Sequence, residues 1–175
     1  MNSPANEYEK TPETGAGRAL FEELLWVHGM VRRDLDVVQR LASNVLNGLP
    51  ASELHSGIKE LKKNGPLWRL KVNCLRYCSF VHSHHNLEDA MLFPALRRQN
   101  PAIDPVVDKL EEDHRTVSQL LDAVEAAAIE LGETDDAIAR RRVADALNTL
   151  AERLLAHLDF EEREAGPTMR RMSGL

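Results

Sequence analysis

Four stretches of this chain, roughly 17–47, 67–98, 105–131 and 135–165, set apolar side chains three and four residues apart, the spacing that lines one face of a helix. The first seam reads Phe21, Leu24, His28, Val31, Leu35, Val38, Ala42 and Val45; the third reads Val107, Leu110, His114, Val117, Leu121, Val124, Ala128 and Leu131. A long helix with so narrow an apolar seam cannot bury it alone and must pack against neighbours. Stop signals fall between the stretches: Asn47-Gly48 with Pro50 beyond, Asn64-Gly65-Pro66, Gly132, and Gly166-Pro167. Asp104 before Pro105 suits a helix start, as do Asp135 and Asp136, while Pro94 should kink or end the second stretch. These signals predict an all-α, up-down-up-down four-helix bundle, with a short extra helix over about 51–63 between the first two long helices. Residues 1–16, aperiodic and rich in Pro, Gly, Thr and Asn, read as a flexible tail, and 17–172 as one domain.

Composition narrows the function classes. A net charge of −6 with no long basic tract argues against nucleic acid as a partner. There is no apolar run long enough to span a membrane and no apolar leader near the N-terminus, so no membrane partner is expected. Two cysteines, Cys74 and Cys78, are too few for a disulfide framework and fit a reducing, cytoplasmic setting.

What interrupts the seams is more informative. Each carries one histidine in register: His28, His84, His114 and His157. Glu88 follows His84 by four residues and Glu161 follows His157 by four, so each pair projects into one space. A carboxylate in an apolar seam is strongly unfavourable unless it is paired, protonated or coordinating a metal. One histidine on a seam is ordinarily a hydrogen-bonded core residue, but four in register with two glutamates point to metal. An internal repeat supports this: His84-His85-Asn86-Leu87-Glu88-Asp89 aligns with His157-Leu158-Asp159-Phe160-Glu161-Glu162, and Pro94 with Pro167. His28, Val31, Leu35 and Asp36 align likewise with His114, Val117, Leu121 and Asp122. Two helix hairpins therefore contribute alike, and four imidazoles with two carboxylates suit two ions bridged by both glutamates.

Other polar residues nearby are expected around the ligands rather than among them. His82 and His85 lie off the seam, and Leu158 opposite His85 in the repeat cannot ligate. Glu111 makes the only Glu-x-x-His spacing with His114, where a ferritin-type centre needs two. Tyr77 reads as a core tyrosine with a hydrogen-bonded hydroxyl, and Cys74 and Cys78 as small buried hydrophobes.

In His28, the HHNLEDAMLFPAL run at 84–96, the EEDH ending at His114 and the HLDFEE run at 157–162, the chain resembles the hemerythrin-like (HHE cation-binding) family over about residues 20–170. The resemblance implies a non-haem centre of two iron ions with a bridging oxo or hydroxo group. Its expected small-molecule partners are O2, peroxide or NO. Oxygen-carrying members have a fifth histidine four residues after the third-helix ligand; here that position is Ser118. With four histidines both irons would keep room for a ligand, which implies oxidant handling, as in peroxide breakdown, rather than oxygen transport. As an enzyme the chain would be a di-iron oxidoreductase, catalase- or peroxidase-like or NO-handling. The alternative is an O2-binding or O2-, iron- or redox-sensing module without turnover.

Overall fold

The computed structural model describes residues 11–48, 66–134 and 136–175; the short helix expected over 51–63 lies outside them. Four long helices carry the fold: α1 Gly15–Gly48, α2 Pro66–Leu87, α4 Asp104–Thr134 and α5 Ala137–Glu164. Two short ones, α3 Phe93–Gln99 and α6 Gly166–Met169, extend the second and fourth. Among the described residues no helix is long and apolar enough to cross a membrane.

Local chemistry sets the helix ends. Thr14 Oγ1 accepts from Gly17 N–H at 2.8 Å and so caps α1, and Asp136 Oδ1 accepts from Ala139 N–H at 2.7 Å to cap α5. Asp104 is not outside its helix as a cap would be. A 3-10 turn, Pro101–Ile103, runs straight into it, and Asp104 takes helical angles (φ −45°, ψ −47°). Of the expected N-terminal tail, the described part is held to the C-terminal segment. Thr14 N–H donates to the Arg170 carbonyl at 2.9 Å, and Arg171 donates to the Thr11 carbonyl at 2.8 Å. Gly17 permits this approach, since a Cβ there would lie 2.5 Å from the carbonyl oxygens of Met169 and Arg170.

Pro94 neither kinks the second helix to a stop nor passes unnoticed. Lacking an N–H and crowding the carbonyl four residues back, it is preceded by a π-turn, Glu88–Leu92, after which α3 resumes. Phe93 N–H donates to the Glu88 carbonyl, five residues back. The wider turn shifts the inward face by one residue. Met91, seven residues after His84, is 50% exposed, and Leu92 and Phe93 are buried instead.

The chain divides into two compact units, and each of the four long helices contributes to both. Among the described residues, unit 1 comprises 11–30, Ser83–Thr116 and Leu154–Leu175, and unit 2 comprises 31–48, 66–82, 117–134 and 136–153. Unit 1 takes the N-terminal parts of α1 and α4 and the C-terminal parts of α2 and α5, so successive long helices alternate in direction. That is the up-down-up-down four-helix order. In unit 1 an apolar cluster includes Leu24, Phe93, Leu96, Leu110 and Met169, with Phe21 and Phe160 packed against it. In unit 2 the interior is Leu35, Val38, Leu70, Leu121, Leu147 and their neighbours, together with Cys74, Tyr77 and Cys78, and both cysteines are free thiols.

Candidate metal centre

All six residues expected as ligands lie in unit 1 and converge on one place. α1 supplies His28, α2 His84, the start of the π-turn Glu88, α4 His114, and α5 His157 and Glu161. His28 and Glu161 are wholly buried; Glu88, His114 and His157 are nearly so. Glu88 Oε1 lies 3.1 Å from His84 Nε2 and 3.8 Å from His28 Nε2, and its Oε2 lies 3.5 Å from His114 Nε2. Glu161 Oε2 lies 3.5 Å from His28 Nε2 and 3.7 Å from His157 Nε2. Each carboxyl group thus stands between imidazoles of different helices.

The outer faces of the rings explain their orientation. His28 Nδ1 pairs with Glu162 Oε1 at 2.8 Å, and His114 Nδ1 with Asp89 Oδ1 at 2.8 Å. His157 Nδ1 faces Asp113 Oδ2 more loosely, at 3.9 Å. An ionised carboxylate only accepts, so it holds the ring proton on Nδ1 and leaves Nε2 directed inward. This carboxylate–imidazole arrangement is what fixes histidines around metal ions. The two short pairs are related by the sequence repeat, each crossing from one hairpin to the other: Asp89 and Glu162 each follow the seam glutamate directly. Sequence reasoning missed these acids, although the repeat had aligned them.

Electrostatics separate the histidines. Burial alone would lower the His28 pKa, but the nearby carboxyl groups of Glu161 and Glu88 overcome it and raise it to about 10. Burial, reinforced by the Glu161 charge, pushes Glu88 up to about 8. Burial and the neighbouring imidazoles push His84 down to about 3 and hold His114 well below the usual range. His157 is also lowered by burial, against the opposing pull of Glu161. Neutral imidazole is the form that binds a metal.

The buried atoms left over test whether a cation fits. Among the described residues, Nε2 of His28, His84, His85, His114 and His157, and both oxygens of Glu88 and Glu161, have no hydrogen-bond partner. One such orphan costs about 1–3 kcal/mol, and charged ones cost more. A group of lone pairs facing one another is resolved by something positive between them. Two sets have ligand atoms mutually within 4.8 Å, one from His28, His84 and Glu88 and the other from His85, His114 and His157. Two neighbouring sets of donors are the makings of a two-ion centre.

His85 is therefore not on the flank. It is 4% exposed, and its ring stacks on that of His114 with centroids 4.0 Å apart. The other three bystanders behave differently. Glu111 joins Asp104 and Asp108 around Arg97, 3.2 Å from its Nη2. His82 and Tyr77 belong to unit 2, where His82 Nε2 lies 3.5 Å from Asp122. Tyr77 is buried as expected, but among the described residues its hydroxyl has no hydrogen-bond partner.

Comparison with known proteins gives one result. The profile of the hemerythrin HHE cation binding domain matches residues 19–169, which include every residue of the cluster. No curated protein and no solved structure matches the chain.

Proposed function

The chain belongs to the hemerythrin HHE cation-binding domain family, and from that premise we propose that it is a non-haem di-iron protein that handles O2, peroxide or NO. His28, His84, His114 and His157 would supply imidazoles to the two ions, and Glu88 and Glu161 would span them, with an oxo or hydroxo group completing the bridge. The observation that carries this reading is the convergence of unpartnered Nε2 and carboxylate oxygens inside the ring of helices of unit 1. A cation there keeps both glutamates ionised and removes the cost of burying them. Mixed imidazole and carboxylate donors favour iron as a redox ion, whereas zinc would accept the ligands without redox chemistry. Bound iron would supply electron transfer to small oxidants.

The protein's own part is positioning and exclusion. Asp89 and Glu162 hold the Nδ1 protons of His114 and His28, fixing ring orientation and raising ligand basicity. Phe93, fully buried, packs its ring 5.1 Å from that of His114 and walls the cluster off from water. Elemental analysis of protein isolated from iron-replete cells tests the reading, with about two irons per chain expected. Zinc that persists after anaerobic reconstitution with excess ferrous iron would overturn it. Peroxide turnover by the iron-loaded protein, lost in His114→Ala, then supports an enzyme; reversible oxygenation without turnover supports a binding or sensing module.

A further inference from the structure

The two halves of the cluster differ at one position. The repeat places His85 opposite Leu158, and Leu158 is fully buried. The position therefore faces inward in both halves, and what differs is only whether the inward side chain can ligate. Helix geometry gives the same answer. At about 100° per residue, Glu88 lies roughly 40° around the helix from His84 and 60° from His85, on the side between them. The direction that Glu88 marks as inward is bracketed by both histidines.

His85 is also unsatisfied where it stands. Its Nε2 is buried without a partner, its ring lies against His114, and the His157 ring is 5.2 Å away, edge-on. One ligand atom from each of these three histidines falls within 4.8 Å of the others. Leu158 shows that the fold accepts an apolar side chain at this level of the helix. A histidine with an unmet nitrogen is a cost that the other half does not bear, and it is removed only if that nitrogen has a partner in the metal-loaded protein.

We propose that His85 is a fifth imidazole ligand of the metal centre, so that the two ions are held unequally. The inference rests on reading the cluster as a two-ion centre. His85, His114 and His157 serve one ion; His28, His84 and Glu88 serve the other. This revises the symmetric arrangement of two histidines per ion expected from the sequence, and Ser118 does not leave the centre one imidazole short.

Cobalt(II) loaded anaerobically into the metal-free full-length chain tests the proposal, comparing wild type with His85→Phe and His85→Leu. Phenylalanine keeps a ring to stack on His114, and leucine is the side chain that the repeat carries at this position. The readouts are ions bound per chain, affinity against a competing chelator, and the hyperfine-shifted imidazole N–H resonances; circular dichroism checks that each metal-free variant is folded. The expected result is that both variants bind one of the two ions about tenfold or more weakly and lose one shifted imidazole resonance. Two ions bound at wild-type affinity with an unchanged spectrum in both variants would overturn the proposal and leave the two-ion reading intact. Wild-type behaviour in the Phe variant alone would also overturn it, assigning His85 to stacking. A wild-type chain that binds no cobalt, zinc or iron would instead remove the two-ion reading itself.

Discussion

In unit 2 the inward residues of α1, α2, α4 and α5 are Val31, Leu35, Val38, Leu70, Val81, Leu121, Val124, Leu147 and Leu150. In unit 1 the same four helices turn His28, His85, Glu88, His114, His157 and Glu161 inward, beside an apolar cluster. Among the described residues every buried charged or imidazole side chain belongs to unit 1. Unit 2 gains its stability by removing apolar surface from water, which needs no partner. Unit 1 has a polar interior whose donors and acceptors do not satisfy one another, so its stability depends on what fills it. The same helical periodicity thus makes a self-sufficient core at one level and a binding site at another.

The most damaging way to break this contrast is to remove a spanning carboxylate. Glu161→Ala or Glu88→Ala is expected to lose most bound metal, with an affinity loss beyond the roughly 100-fold ascribed to outer hydrogen-bonding partners. Metal per chain and chelator competition measure it, and full retention by both variants would end the ligand assignment. Next in size is a cavity in unit 2. Leu121 is fully buried, and Leu121→Ala should cost about 2–5 kcal/mol in denaturant unfolding. Metal content should be unchanged. If it fell in parallel, the division between a self-sufficient interior and a ligand-dependent one would not hold.

Much of this was legible because the helical period is a strong signal. The expected stretches at 17–47, 105–131 and 135–165 match α1, α4 and α5 to within a few residues, and the six expected ligands are brought together. His85 is harder to place, because a single seam through His84 leaves it outside. Three inward residues on one turn, His84, His85 and Glu88, span too wide an arc for a seam of that width. Leu158, aligned with His85, cannot ligate, yet its burial marks the position as interior. The π-turn was also out of reach. Pro94 announces a disturbance, but whether the helix ends, bends or widens depends on which side chains, here Leu92 and Phe93, find room inside. Asp89 and Glu162 could have been found by asking what holds each imidazole's second nitrogen.

Proton linkage sharpens the comparison at an intermediate scale. Without metal, His28 at about 10 and Glu88 at about 8 both hold a proton at pH 7, and both must lose it to act as ligands. Binding at pH 7 should therefore release about two protons per chain, and affinity should rise with pH. The slope should ease as pH rises and the metal-free cluster has fewer protons left to release. Calorimetric titration with zinc in buffers of different ionisation heat counts the protons. An affinity that stays flat between about pH 6 and 8 would mean that these two groups do not face the ion. Leu121→Ala, altering only unit 2, should leave the proton count as it is.

The smallest effect is expected at the Tyr77 hydroxyl of unit 2. Tyr77 is buried, its hydroxyl is without a partner, and burial raises its pKa far above the ordinary phenol value, so it stays neutral. Among the described residues both groups of side chains able to hold a metal ion lie in unit 1, so nothing in unit 2 asks for a cation. Tyr77→Phe removes the unmet hydroxyl and keeps the ring. It should be neutral or stabilising by up to about 1 kcal/mol, with metal content and proton release unchanged. Chemical denaturation of the metal-free and metal-loaded protein measures both. A loss of stability would show that the hydroxyl has a partner in solution, and unit 2 would then have a polar element of its own. An orphaned polar atom that can be deleted without loss is a packing compromise, whereas those of unit 1 should be impossible to delete without losing the metal.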